Sequence, residues 1–300
     1  RIEDSVHVTP VCNGRHDACG NRHRQARCVV TGESGLLLTS VKTGYEGGMI
    51  RLFIAESTPT LAEGLIFPLN PDQARYLAAV MRLGEGDEVS VFNGRDGEWR
   101  ARLQAVTKKH VHVELTGRLR AQTSQEYAPK LLIALVKRAR LETIIEKATE
   151  LGAGEIQLLI TRRTNADHTN VGRLQLIAQE AAEQTERLDV PKILPPLKLE
   201  TYLKDADEPI LYGDEDSTHD SDLRPEERRI RPMLEVLRGL KARAVSILIG
   251  PEGGFDAVER DSLRARPETR AVNLGPRILR ADTAAISALT LYQAACGDWR

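Results

Sequence analysis

LLIALVKRARLETIIEKATELGAGEIQLLI, at residues 131–160, changes its hydrophobic period twice. LLIALV at 131–136 is a near-continuous apolar run, as a strand needs when neighbours cover both of its faces. RARLETIIEKATELG at 138–152 then spaces Leu141, Ile144, Ile145, Ala148 and Leu151 along one helical face, with Gly152 as a natural C-cap. IQLLIT at 156–161 returns to strand. Strand, helix and strand in so short a span is the unit from which parallel sheets are assembled.

The same alternation continues toward the C-terminus. GRLQLIAQEAAEQTER at 172–187 reads as a helix; PILY at 209–212, VSILIG at 245–250 and AVNLG at 271–275 read as strands; a last helix runs roughly from Thr283 to Ala295. The expected result is an open parallel α/β sheet with helices on both faces, whose ligands bind beyond the carboxyl ends of the strands. Residues 205–229, with DEDSTHDSD at their core, read as a solvated loop.

Toward the N-terminus, TSQEYAP at 123–129 reads as a linker. Before it lies a small strand-rich domain, with strands at RLFIA 51–55, EVSVFN 88–93, WRARLQAV 99–106 and HVHVELTG 110–117. GEGD at 84–87 and NGRDG at 93–97 are turn sequences, and PDQARYLAAVMR at 71–82 a short helix with Pro71 near its start. The division read from the sequence is 1–48 as a flexible or non-native extension, 49–122 as a β-barrel, 123–129 as linker and 130–300 as the α/β domain. Cys12, Cys19 and Cys28 with His16 or His23 lack the spacing of a familiar zinc finger, so no metal is expected.

Hydrophobic residues are 41%, charged residues 28% and the formal net charge −1, which argues against a protein that coats nucleic acid non-specifically. No apolar run is long enough to cross a bilayer and no secretory apolar core stands at the start, so a cytoplasmic protein is expected.

Two segments carry the chemistry. GPEGGF at 250–255 follows a strand and precedes a helix, with Asp256 as N-cap and Glu259 three residues on. Its spacing is neither the dinucleotide nor the phosphate-loop pattern, so neither NAD nor ATP is supported. LGPRILRADTAA at 274–285 also joins a strand to a helix; Arg277 and Arg280 in its loop point to an anionic partner, and Asp282 and Thr283 are each possible caps. AAISALTLYQAA beyond it can bury against the sheet or against a second subunit.

Together with RLFI at 51–54, VMRLGEGD at 80–87, KATELG at 147–152 and EQTER at 183–187, these segments resemble, in order over 49–298, the bacterial 16S ribosomal RNA uracil-N3 methyltransferase family, RsmE, of the SPOUT superfamily. The resemblance implies a PUA-like barrel for RNA, a methyltransferase domain closed by a trefoil knot, and a homodimer with active sites near the interface. It implies S-adenosylmethionine held by Leu211, Gly213, Gly250, Pro251, Glu252, Gly253, Gly254, Leu274, Gly275, Ile278, Leu279, Thr283 and Ala284. Arg280 or Arg277 would stabilise charge developing on the base; no general base is identified.

Arg51, Arg82, Lys108 and Lys109, read as exposed residues in or beside turns, are candidate phosphate contacts on 16S ribosomal RNA within the small subunit. Ile286, Leu289 and Leu291 are expected at the dimer interface. Two positions depart from the family: Asp282–Thr283 stands where Glu-Thr is usual, and Glu186 where Gly is frequent. The alternatives are a related methyltransferase acting on another RNA position or base, and a non-catalytic RNA-binding protein.

Overall fold

The computed structural model describes residues 49–54, 59–107, 109–124, 126–164, 169–214, 230–240 and 245–299. Five strands make the first sheet: β1 (Arg51–Phe53), β2 (Ile66–Pro68), β3 (Glu88–Phe92), β4 (Glu98–Val106) and β5 (Val111–Arg120), in the order β1-β3-β4-β5-β2. Strand β5 shows why it forms: Val111, Val113 and Leu115 are buried while His112 and Glu114 between them are half-exposed, the period of two of a one-sided strand. The edge strands β1 and β2 do not pair with each other among the described residues, so the expected barrel is a mixed sheet rather than one closed by hydrogen bonds.

Helix α1 (Pro71–Arg75) opens on a capping box between Asn70 and Gln73. The helix expected over 71–82 stays α-helical only to Arg75. It then widens into a π turn over Tyr76–Val80, where the Met81 amide donates to the Tyr76 carbonyl at 2.9 Å, and Arg82 leaves it at φ +56°.

The second sheet has seven strands, all parallel. In chain order the elements are β6 (Lys130–Ala134), α2 (Arg138–Glu150), β7 (Glu155–Ile160), α3 (Val171–Gln184), β8 (Lys192–Lys198), α4 (Leu199–Asp205), β9 (Ile210–Gly213), β10 (Arg231–Pro232), α5 (Met233–Gly239), β11 (Ser246–Ile249), α6 (Ala257–Arg264), β12 (Thr269–Asn273) and α7 (Ala281–Ala295). The strand order is β10-β12-β9-β11-β6-β7-β8.

Alternate residues of each strand feed different cores. Leu131, Ile133, Ile156, Leu158, Ile247 and Ile249 pack with α2, α5 and α7, whereas Leu132, Leu159, Tyr212 and Leu248 pack with α4 and α6. This two-sided burial is the physical origin of the unbroken apolar runs. Helix α2 ends as its sequence demands. Gly152 takes φ +79°, its amide donates to the Thr149 carbonyl at 3.1 Å and that of Ala153 to Ala148 at 2.9 Å, a Schellman cap. Strand β8, KILPPLK, has no counterpart among the expected strands; Pro195 and Pro196 are tolerated because β8 is the outer strand of its sheet.

The two sheets are joined through EQTER. The Arg51 guanidinium donates to the carbonyls of Ala182 (3.0 Å), Glu183 (2.9 Å) and Arg187 (2.6 Å). The first two are among the last carbonyls of α3, which have no partner within the helix. Arg51 also pairs with the buried Glu98 at 2.7 Å and lies 4.5 Å from the centre of the Phe92 ring. Its side chain is only 9% exposed, so Arg51 is corrected from an exposed phosphate contact to a clamp between the two sheets. Glu183 accepts the Phe53 amide at 2.8 Å, and Arg187 donates to the Thr149 and Ala153 carbonyls at 2.7 and 3.0 Å, capping α2.

Candidate active site

Strand β9 lies between β12 and β11, with Gly213 level with Val272 and Tyr212 level with Leu248. The chain therefore leaves all three strands side by side at their carboxyl ends, through Gly213–Asp214, Gly250–Phe255 and Leu274–Arg280. Side chains from elsewhere pin the middle loop. Arg140 of α2 pairs with Glu252 at 3.1 Å, and Arg163 donates to the Gly253 carbonyl at 2.8 Å. Phe255 is buried, edge-on to Tyr212 with ring centres 6.2 Å apart. A Cβ on Gly250 would stand 3.1 Å from the Phe255 ring, so the loop doubles back tightly there. Asp256 caps α6 through a capping box with Glu259, which also accepts the Arg162 amide at 2.8 Å.

Beside this loop Asp214 is buried, 3.1 Å from Arg260 and 3.8 Å from Arg264. Burial and the neighbouring Asp214 carboxylate raise the Tyr212 phenol above its ordinary range. Arg140, Arg163 and Asp214 also support the loops; Arg140 and Arg163 act across about a hundred residues of sequence, and no local spacing marks them.

The third loop is different: it is open. Gly275 has φ +121°, reachable at low cost only without a Cβ, and a Cβ placed there would meet nothing within 4 Å. Ile278 is 81% exposed, and Gly275, Arg277 and Arg280 are exposed with it. Neither arginine makes an ion pair with a described residue; Asp282 Oδ1 instead accepts the Thr283 amide at 2.9 Å. No salt bridge among the described residues therefore holds this turn. Arg280 occupies the N-cap position of α7 with no side-chain cap bond, and neither Asp282 nor Thr283 is the cap residue.

The other site residues divide. Leu211 is buried in the core, so only its backbone faces the strand end; Thr283 is exposed and Ala284 half-buried on the first turn of α7. Pro251 is buried, while Glu252 and Gly253 are exposed. Arg82 and Lys109 are exposed at turns of the first sheet; Lys108 lies outside the described residues. Leu289 is fully buried in its own chain's core, which removes it from the expected interface; Ile286 and Leu291 are half-buried. Among the described residues no group of three His, Cys, Asp or Glu could hold a metal, and no helix is long and apolar enough to cross a membrane. Cys12, Cys19 and Cys28 lie outside those residues.

Comparison with known proteins fits this geometry. The RNA methyltransferase domain model matches residues 123–293, and the RNA methyltransferase PUA domain model matches 69–116. Ribosomal RNA small subunit methyltransferase E of Rickettsia conorii is 34% identical over 233 residues, 76% of this chain and 90% of its own length. The chain belongs to the RsmE family. The Bacillus subtilis member is 29% identical over 81% of this chain and 95% of its own. A putative methyltransferase from Legionella pneumophila, solved in complex with S-adenosylmethionine, is 27% identical with a TM-score of 0.66, covering 83% of this chain and 98% of that one. The Neisseria gonorrhoeae member, 24% identical with a TM-score of 0.70 over 84% of this chain and 100% of that one, shares the fold.

The residues at the three strand ends fit that cofactor. They offer bare glycine main chain at 213, 253, 254 and 275 for a close approach and the apolar side chains Leu274, Ile278 and Leu279 for the adenosine. Gly275→Val should lower affinity for S-adenosylhomocysteine about fivefold or more, because a side chain at φ +121° costs about 1–3 kcal/mol. Gly253→Val should cost less, since the new Cβ meets only the flexible Arg163 side chain at 3.4 Å or more. Calorimetry ranks the two; equal, wild-type binding by both variants would remove the third loop from the cofactor site.

Proposed function

We propose that this chain methylates N3 of a specific uridine in 16S ribosomal RNA, in the cytoplasm and within the small ribosomal subunit, using S-adenosylmethionine. Family membership supports the coarser statement, methylation of small-subunit ribosomal RNA with that cofactor. The observation that carries the reading is the row of three adjacent strand-end loops, each with glycine, and two arginines on the exposed one that pair with no described residue.

The bound cofactor supplies a methyl group already activated by its sulfonium. The chain's own work is to position and to neutralise. Uracil N3 becomes nucleophilic only on losing its proton, so the site must hold N3 in line with the methyl group and stabilise the resulting anion. Arg280, at the mouth of the third loop, provides that field, with Arg277 as the second candidate. No histidine stands in the two motif loops to take the proton. Mass spectrometry of ribosomal RNA nucleosides from cells with and without this gene tests the reading. Loss of 3-methyluridine is expected. Loss of a different methylated nucleoside would assign the reaction of a related SPOUT enzyme, and an unchanged profile would refute both.

Two architectural features belong to the same proposal. Strand β12 sits between β9 and β10, which are consecutive in the chain. A later strand placed between two consecutive ones supports a trefoil knot, a rare exception to ordinary topology. The second feature is a homodimer, with Ile286 and Leu291 rather than Leu289 toward the partner. Light scattering should give twice the chain mass, and Ile286→Asp with Leu291→Asp should halve it; a monomeric, fully active wild type would refute the dimer.

A further inference from the structure

Beyond the carboxyl end of β6, the first turns of α2 and α3 leave a cleft of about 370 Å3. Its floor is apolar, made by Leu135, Val136, Leu141 and Leu174. Its rim carries two arginines that share one carboxylate: Arg138 Nε lies 2.8 Å and Arg173 Nε 2.6 Å from the same Glu142 oxygen. Each guanidinium has five N–H groups, and one carboxylate neutralises one of the two cations. The Arg138 and Arg173 side chains are 74% and 51% exposed, and each pairs with no other carboxylate among the described residues.

An apolar floor beside a net positive, fork-shaped rim suits a ligand with a flat face and an anionic edge, as a nucleotide has. The place fits too. Strand β6 neighbours β11, whose following loop is GPEGGF, and Arg140 on the same helix as Arg138 pairs with Glu252 in that loop. The exposed Lys137 adds a further cation directly before Arg138 in the chain.

We propose that this cleft is a subsite for a nucleotide of the substrate RNA that flanks the methylated base, with its base on the apolar floor and its phosphate on Arg138 and Arg173. The inference rests on the methyltransferase reading and deepens it, moving RNA binding onto the α/β sheet. Glu142 acts as a placeholder that holds both forks in position before RNA arrives; the two arginines in turn pull its carboxyl down to about 2, so it is ionised whenever RNA is present.

The test compares Arg138→Gln/Arg173→Gln with Glu142→Gln, using unmodified 16S ribosomal RNA as probe. The double arginine variant should weaken RNA binding tenfold or more and reduce the salt slope by about 0.7 for each phosphate that is no longer neutralised. Affinity for S-adenosylhomocysteine and the unfolding midpoint should hold. Glu142→Gln breaks the same ion pairs but frees both arginines, so RNA affinity should be kept or raised. Unchanged RNA affinity and slope in the double variant overturns the subsite. So does an equal loss in Glu142→Gln, which would make the pairs merely structural. If the wild type binds S-adenosylhomocysteine yet neither binds nor methylates this RNA, the proposed function itself falls, and the subsite with it.

Discussion

Arg280→Ala should cut single-turnover methyl transfer by about 10² or more at saturating cofactor and RNA, while S-adenosylmethionine affinity and folded content change little. The structure sharpens this expectation. Had Arg280 been paired with Asp282, its removal would loosen the loop and reduce rate, cofactor affinity and stability together. Instead Asp282 Oδ1 accepts the Thr283 amide, and the Arg280 side chain is exposed, with no described ion-pair partner. Only its main chain contributes to the helix start, through the Ala284 amide donating to the Arg280 carbonyl at 2.8 Å, and alanine keeps that carbonyl. Arg280→Lys should fall between wild type and Arg280→Ala, because lysine retains the charge and loses the planar fork. A near-normal rate in Arg280→Ala would transfer the role to Arg277; parallel losses of rate, affinity and folded content would leave Arg280 only a structural part.

What can be read from the sequence follows from how local each signal is. The parallel sheet is legible because strands such as 131–136 are buried on two faces and so are apolar throughout, while α2 between them keeps a helical period. The Asp256–Glu259 capping box and the Gly152 cap are legible because caps are settled within a few residues. Strands β2 and β8 are not, because each contains proline and is held only as an edge strand, a fact that belongs to the sheet and not to the segment.

The site is half legible for the same reason. Glycines and arginines in loops after strands announce two of the three strand ends, but the supports of those loops, Arg140 to Glu252 and Arg163 to Gly253, join residues about a hundred positions apart. Glu186 is an instructive intermediate. It stands where the family often has Gly, and it adopts φ +61°, a left-handed conformation that glycine takes without strain. The departure from the family pattern is thus a backbone position in the turn that delivers Arg187 to α2.

Arg51 is where reading by exposure fails, and removing it should have the largest effect on stability. Arg51→Ala should destabilise the fold by about 3–5 kcal/mol, the usual cost of breaking a buried ion pair from one side. The loss has two parts. Three carbonyls, those of Ala182, Glu183 and Arg187, lose their donor, and the buried Glu98 loses one of its two cations. Burial alone would raise the Glu98 carboxyl, but Arg51, Ser90 and Arg120 together hold it below the ordinary carboxylate range. A carboxylate lowered in the folded state stabilises the fold fully above its unfolded value and loses that contribution as pH falls through the lowered one. Acid should therefore destabilise wild type more than Arg51→Ala. Replacing both partners, Arg51→Met with Glu98→Met, should cost less than the sum of the single changes, because the buried Glu98 charge is not left behind and the partly exposed Arg120 keeps Glu186. A phosphate-binding role predicts the opposite pattern: unchanged stability and a shallower salt dependence of RNA binding. Urea unfolding of Arg51→Ala, the two single methionine variants and their combination at two pH values decides between them, and an Arg51→Ala variant within about 0.5 kcal/mol of wild type, typical of an uninvolved surface residue, would show that Arg51 holds nothing together.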